Sequence, residues 1–131
     1  MTPVEGRPLV GVLAGRAFTF RYAETTELLL AAGCRDLGEN RAQELAAKAP
    51  QLLDAPGGPP TWHFIGHLQR NKIDRTLPLV TLVHSVDSVR VLEALDAFGR
   101  NRGSPVQALI EVNCSREDNK GGFRPDEVPG L

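Results

Sequence analysis

The chain has 131 residues, of which 24% are charged and 41% hydrophobic, as is usual for a single soluble domain. Its 15 basic and 16 acidic side chains give a net charge of -1, which gives no electrostatic reason to expect nucleic acid or an anionic membrane as a partner. No apolar run approaches the ~20 residues that cross a bilayer, and the amino terminus lacks the basic start of a secretory signal. The expected location is the cytoplasm.

Two cysteines, Cys34 and Cys114, fall inside predicted strands and form no Cys-x-x-Cys pair. We therefore expect two small core residues in a reducing compartment, not a disulfide scaffold or a metal site.

Apolar runs of strand-like composition recur along the chain, and they are largely continuous, as is typical of strands buried on both faces. The predicted strands are residues 9–13, 34–37, 61–65, 79–83 and 106–112.

Helical patterns lie between these runs, at residues 24–32, 40–53, 69–76 and 87–100. Gly33 is the expected left-handed cap of the first helix, and Asn40 with Gln43 resembles a capping box for the second. The last of these helices carries an apolar stripe formed by Val89, Leu92, Leu95 and Phe98 and is closed by Gly103. Another helix is expected to begin near Pro125.

This β-α order predicts an α/β fold with parallel strands joined by crossovers. About five β-α units are too few for a closed (β/α)8 barrel, which needs ~250 residues. Together with a helix that begins just before the chain ends, this predicts that residues 1–131 form a single incomplete barrel domain.

Two polar segments have the same design, because each follows a short apolar strand and a glycine. They are residues 38–44 (GENRAQE) and 62–72 (WHFIGHLQRNK). Ligands bind at the carboxyl ends of parallel strands in α/β proteins, so both segments mark the same edge of the sheet as functional.

Asn40 is either the N-cap of the next helix or a ligand contact, and the two roles are compatible. His67 is expected to line a ring pocket, and His63 is expected to be a buried, hydrogen-bonded histidine or another pocket residue. A metal site is not expected, because the sequence offers no carboxylate or cysteine nearby to complete one.

The segment His84-Ser85-Val86-Asp87 superficially suggests a catalytic triad, but residues so close in a strand-helix junction cannot adopt that geometry. We expect Ser85 or Asp87 to cap the next helix instead. The charged loop at residues 115–122 lacks the order of a phosphate-binding loop and is expected to be solvated.

These segments, with His84–Asp87, Val112-Asn113 and Lys120-Gly121, resemble the YggS-like pyridoxal phosphate homeostasis proteins from about residue 28 onward. The resemblance implies a (β/α)8 barrel similar to the amino domain of alanine racemase. It also implies a pyridoxal 5'-phosphate carrier without established turnover, hence no catalytic residues and no metal. The implied partners are the cofactor and apo enzymes that depend on it. The implied cofactor contacts are Asn40, His67, Ser85 and Asn113.

The sequence departs from that family at the lysine that holds the cofactor as a Schiff base. The expected position falls near Thr19, and residues 14–22 contain no lysine. Neither threonine nor arginine can replace the amine, so covalent attachment at that position is not expected. Lys72 is interpreted as structural or superficial, and Lys48 and Lys120 as solvated.

The strands that would hold the phosphate in the family are also missing from the pattern, so impaired cofactor binding is expected. Any labelling by the cofactor should be weak and scattered over the lysines and the amino terminus.

Three alternatives remain from the residues. A cofactor-dependent enzyme of the alanine racemase type would need a lysine and a partner such as Tyr22, the single tyrosine. A phosphate-binding barrel enzyme such as an aldolase would have only Glu39 and Asp87 as loose candidates. The third alternative is a fragment that binds nothing. The uncovered strand edges of a partial barrel predict self-association of the chain.

Overall fold

The computed structural model describes residues 23–115, 117 and 119–131. The predicted strand at 9–13, the segment 14–22 and Thr19 lie outside the described residues. Within the described part, four strands form one parallel sheet whose spatial order is the sequence order. They are β1 (Asp36–Glu39), β2 (Thr61–Phe64), β3 (Leu82–Val86) and β4 (Ala108–Ile110). This arrangement confirms the predicted α/β class.

Helices precede, separate and connect these strands: α1 (Ala23–Ala31), α2 (Ala42–Lys48), α3 (Ile73–Thr76) and α4 (Val89–Arg102). Short 3-10 turns at Ala49–Leu52, Arg70–Lys72 and Leu77–Leu79 extend α2 and flank α3. The helix predicted near Pro125 is wrong, because residues 125–127 form turns and only Val128–Gly130 is a 3-10 turn.

Glycine ends both of the longer helices as the sequence predicts. Gly33 follows α1 with φ of 90°, and Gly103 caps α4 with φ of 75°. A residue with a side chain rarely adopts this left-handed conformation, so glycine allows the chain to turn back toward the next strand without strain.

Alternate residues of the first two strands face opposite sides of the sheet, and the described residues cover only one side fully. Leu37, Trp62, Phe64 and Val83 are buried under the helices. The residues between them are exposed or half-buried. The prediction of strands buried continuously on both faces is therefore wrong for the described residues.

Three strands begin later than predicted, and the one expected at 106–112 is shortened to Ala108–Ile110. Residues 34–37 were expected for the first of them, but β1 occupies Asp36–Glu39, and the expected strand at 79–83 is Leu82–Val86. Leu77–Leu79 instead forms a 3-10 turn with Leu77 in the core. The strand extends into the polar pair His84 and Ser85 because both side chains find hydrogen-bond partners on neighbouring strands or loops.

The apolar stripe of α4 is rotated from the predicted one. Val91 and Leu95 are buried, whereas Val89 is 48% exposed because it starts the helix at its outer side. Leu92 and Phe98 pack partly against the core.

The cysteine prediction holds for only one residue. Cys34 is buried, but it lies in the turn before β1, and Cys114 is exposed in the loop after β4. Among residues 23–115, 117 and 119–131, no helix is long and apolar enough to span a membrane.

Candidate functional site

The predicted site residues lie toward the carboxyl ends of successive strands. Asn40 directly follows β1, His67 comes three residues after β2, Ser85 lies in β3, and Asn113 follows β4. Because the four strands are parallel, these ends share one edge of the sheet, which we call the carboxyl edge. The structure brings Asn40 and His67 into one cavity, whereas Ser85 and Asn113 do not line it.

That cavity lies between the loops that follow β1 and β2, and its volume is about 220 Å³. Its floor is apolar, formed by Ala42, Phe64 and Leu68. The polar residues that line it are Asn40, Arg41, Gln43, His67, Gln69 and Lys72. This volume is below the ~300–1,000 Å³ usual for small-molecule sites.

The charge of this cavity is one-sided. Two cationic side chains, Arg41 and Lys72, line it, and within the described part of the chain no carboxylate does. Two cations on a concave polar surface attract an anion, and an arginine and a lysine are the usual partners of phosphate groups. Both residues lie inside the polar segments 38–44 and 62–72, but neither was predicted to line a pocket.

His67 is held from behind by a carboxylate. Its Nδ1 lies 2.8 Å from Oδ2 of Asp87, and the side chain of Asp87 is only 14% exposed against 68% for His67. This contact leaves the other ring nitrogen directed away from Asp87 and available to a ligand. Asp87 was predicted as a possible helix cap, but the cap residue of α4 is Ser88, without a side-chain bond, so that prediction is wrong.

Ser85 joins the loop after β2 to β3 and does not cap a helix. Its hydroxyl donates to the carbonyl of Gly66, and the residue is buried. Gly66 itself approaches the backbone of Asn40 so closely that any Cβ at this position would overlap the Asn40 carbonyl. Ser85 therefore supports the cavity wall from outside the cavity.

The capping box predicted for Asn40 and Gln43 is also wrong. Helix α2 takes Arg41 as its cap residue, with no side-chain hydrogen bond. The backbone N–H of Asn40 donates instead to Oε1 of Glu39, at 3.1 Å, so the chain enters the helix one residue later than expected.

An ion pair closes the covered side of the sheet near this edge. Oε2 of Glu39 lies 2.6 Å from Nζ of Lys48, and the side chains are 7% and 38% exposed. Lys48 is therefore the partner of a buried carboxylate, which corrects the prediction of a solvated lysine. The sequence contains a sign of this pair. Glu39 lies two residues after the buried Leu37, so both side chains point to the same, covered face of β1.

Three polar side chains form a row across the other face of the sheet. His63 Nδ1 lies 2.8 Å from Nε2 of His84, and His63 Nε2 lies 3.3 Å from Oδ1 of Asp36. Burial, and then the neighbouring charge of His63, lower the pKa of His84 from its ordinary value of 6.5. His63 is thus hydrogen-bonded in the strand, as one of its two predicted roles required.

The expectation that no carboxylate lies near these histidines is wrong, since Asp36 contacts His63 and Asp87 contacts His67. Among the residues that the structure describes, however, no group of three or more His, Cys, Asp or Glu side chains could hold a metal ion.

Asn113 organises the loop that follows β4. Its Nδ2 donates to the carbonyls of Glu117 and Lys120, at 2.9 and 3.3 Å, and its Oδ1 accepts from the backbone N–H and the hydroxyl of Ser115. In the same loop, Nζ of Lys120 lies 3.0 Å from Oε1 of Glu117. The amide of Asn113 is committed to this loop, so its predicted cofactor contact would require other partners to be released.

Comparison with known proteins identifies the family. The profile described as "Alanine racemase, N-terminal domain" matches residues 7–131. The chain is 38% identical over 101 residues to the pyridoxal phosphate homeostasis protein of Pseudomonas aeruginosa, covering 77% of this chain and 43% of that protein. It is 35% identical over 105 residues to the protein of the same name from Bos taurus, covering 76% and 38%. The chain thus spans less than half the length of these relatives.

Solved structures give the same result. The structure of PipY from Synechococcus elongatus with pyridoxal phosphate bound is 34% identical, with a TM-score of 0.70, over 82% of this chain and 50% of PipY. The structure of PipY without the cofactor gives a TM-score of 0.71 at 35% identity, over 82% and 51%. Both agree with the predicted partial barrel of parallel β-α units. The chain therefore belongs to the alanine racemase N-terminal domain family, and it is similar over about three quarters of its length to members named pyridoxal phosphate homeostasis protein.

Proposed function

We propose that this chain binds pyridoxal 5'-phosphate at the carboxyl edge and acts in cofactor homeostasis as a carrier, without catalysing turnover. The names of the relatives and the cofactor-bound PipY structure support this role. The observation that carries the proposal is the cavity at the ends of β1 and β2, whose described lining contains Asn40, His67 and two cations but no carboxylate.

The residues of this cavity fit the chemistry of the cofactor. Arg41 would bind the phosphate, the charge of Lys72 would help to attract the anionic cofactor into the cavity, and the Asn40 amide and the His67 imidazole would meet ring substituents. Asp87 would orient His67 through the contact at 2.8 Å. When bound, the cofactor supplies an aldehyde that condenses reversibly with amines. The sequence offers no amine near Thr19, so retention depends on the residues of the cavity.

Equilibrium dialysis of the purified chain against the cofactor tests the proposal. We expect saturable binding of about one cofactor per chain, and weaker binding of pyridoxal, which lacks the phosphate. Arg41→Gln should lower the affinity by about 5- to 10-fold, the loss of one exposed charge-assisted contact. Arg90→Gln, an exposed arginine on α4, is the matched control and should bind as the unmodified chain does.

Binding that does not saturate, or an equal loss in Arg41→Gln and Arg90→Gln, would show that the cavity does not hold the cofactor.

We further propose apo enzymes that depend on pyridoxal phosphate as the recipients, in the cytoplasm. A dialysed, cofactor-loaded chain should restore activity to such an apo enzyme, and should itself racemise no alanine.

We also propose self-association through β4, the end strand of the described sheet, where Leu109 is 49% exposed. Sedimentation that shows only monomers would contradict this last proposal.

A further inference from the structure

The chain has lysines at positions 48, 72 and 120, and the structure places them in different situations. Nζ of Lys48 is 2.6 Å from a carboxylate oxygen of Glu39, and Nζ of Lys120 is 3.0 Å from one of Glu117. An amine held in an ion pair must leave its carboxylate before it can attack a carbonyl. The pair with the buried Glu39 makes Lys48 a weaker nucleophile, the exposed pair of Lys120 has a smaller effect, and neither lysine lines the cavity.

Lys72 differs from Lys48 and Lys120 both in its side-chain contacts and in its location. Among the described residues its side chain has no ion-pair or hydrogen-bond partner. It is half-buried and lines the cavity that also contains Asn40 and His67. Lys72 is thus the lysine that lines the cavity and whose amine has no side-chain partner among residues 23–115, 117 and 119–131.

We infer that Lys72 is the residue with which an anionic aldehyde held in this cavity forms a covalent imine. The inference rests on the proposed function for the identity of the ligand, and it adds the residue that bonds to it. It replaces the expectation of scattered labelling, because a ligand held in this cavity meets the amine of Lys72 and not that of Lys48 or Lys120.

The step conserves atoms and electrons without an oxidant or reductant. The lone pair of the neutral Lys72 nitrogen adds to the carbonyl carbon, and the carbonyl oxygen becomes a hydroxyl group. That oxygen then leaves as water with the two protons lost from nitrogen, so that the carbon–oxygen double bond is replaced by a carbon–nitrogen double bond. The reaction is reversible, which suits a protein that releases its ligand.

Anion binding and covalent bonding can be separated at this position by Lys72→Arg. Arginine keeps the positive charge but is not a nucleophile at neutral pH. Lys120→Arg is the matched control, because Lys120 is an exposed lysine with an ion-pair partner outside the cavity.

The experiment incubates each protein with pyridoxal 5'-phosphate, reduces with borohydride, and maps the modified peptides by mass. Equilibrium dialysis without reduction is run in parallel. For the unmodified chain and Lys120→Arg we expect one label per chain, on Lys72. Lys72→Arg should lose at least nine tenths of the label while its dialysis still shows saturable binding.

Each outcome bears on one of the two proposals. Saturable binding with label on Lys48, Lys120 or the amino terminus, or with no label, would overturn the inference and leave the proposed function standing. Absence of saturable binding in the unmodified chain would overturn the proposed function. If the label of that non-binding chain is also scattered over several amines, the inference about Lys72 is overturned as well. The mapping of the unmodified chain needs no variant, so a folding defect in Lys72→Arg does not affect it.

Discussion

The two faces of the parallel sheet are stabilised by different interactions, apolar packing on one and side-chain hydrogen bonds on the other. The helix-covered face presents Leu37, Trp62, Phe64 and Val83 to a continuous apolar core. The open face carries Asp36, His63 and His84, linked side chain to side chain across β1, β2 and β3. Neighbouring residues such as His63 and Phe64 therefore belong to different environments although they are adjacent in the chain.

This difference shows that hydrogen bonds can accommodate polar side chains at strand positions that do not face the apolar core. Half-buried polar groups cost little free energy when each finds a partner. Among the described residues of the covered face, Glu39 is the buried charged side chain, and Lys48 neutralises it. Three pairs of variants separate these contributions to stability.

The largest effect is expected from truncation on the covered face. Phe64→Ala removes a side chain that is 1% exposed and should lower the free energy of unfolding by about 3–5 kcal/mol. His63→Ala, one residue away on the open face, removes hydrogen bonds and should cost about 1 kcal/mol. Urea unfolding measures both. Equal costs for the two substitutions would mean that the faces do not differ as described.

The next effect concerns the ion pair within the covered face. Lys48→Met leaves the Glu39 carboxylate buried without its partner and should cost about 2–4 kcal/mol, near the loss seen when a buried pair is broken. Glu39→Gln leaves the more exposed Lys48 behind, which water can solvate, and should cost about 1–2 kcal/mol.

Urea unfolding of both variants and of the double variant measures the coupling. A cost for Glu39→Gln that exceeds the cost for Lys48→Met would show that the carboxylate is not the buried partner that needs compensation.

The smallest effect is a dependence of stability on pH from the open face. Because the pKa of His84 in the folded chain is lowered from 6.5, the unfolded chain binds this proton first as the pH falls. Stability from this group is fully present above about pH 6.5 and decreases below it, until the pH reaches the lowered folded value. His63 and Asp36 face the same row and modulate the loss.

Melting temperatures measured through this range should therefore fall less steeply in His84→Gln than in the unmodified chain. His67→Gln is the matched control, since its exposed imidazole lies outside the row. A slope that His84→Gln leaves unchanged would contradict the assignment.

The order of strands and helices could be predicted from the sequence because glycines mark helix ends and apolar runs mark strands. The register within strands could not. The apolar pair Leu79 and Val80 suggested a strand where the structure has the end of a 3-10 turn and an extended residue. The strand itself includes His84 and Ser85, whose polarity is compensated by partners distant in the chain. Composition within a short window cannot show such partners.

The candidate site was predictable to a similar degree. The motif positions placed Asn40 and His67 on one edge, and the structure places both in one cavity. The pairs Glu39–Lys48 and His67–Asp87 join different elements, and their geometry depends on the three-dimensional arrangement of loops. The cofactor contacts of Asn40, His67, Ser85 and Asn113 stay predictions.

Gly66 has a consequence for how this fold can vary. Its backbone lies against the carbonyl of Asn40, and its own carbonyl receives the hydroxyl of Ser85, so three successive strand ends meet at one residue without a side chain. Loops at the ends of strands usually tolerate insertions and exchange of residues among relatives. Here an added methyl group would push the first two loops apart and open the cavity between them. The path of the backbone at Gly66 is therefore constrained, and an alanine there is expected to disturb the cavity more than an exchange of a side chain that lines it.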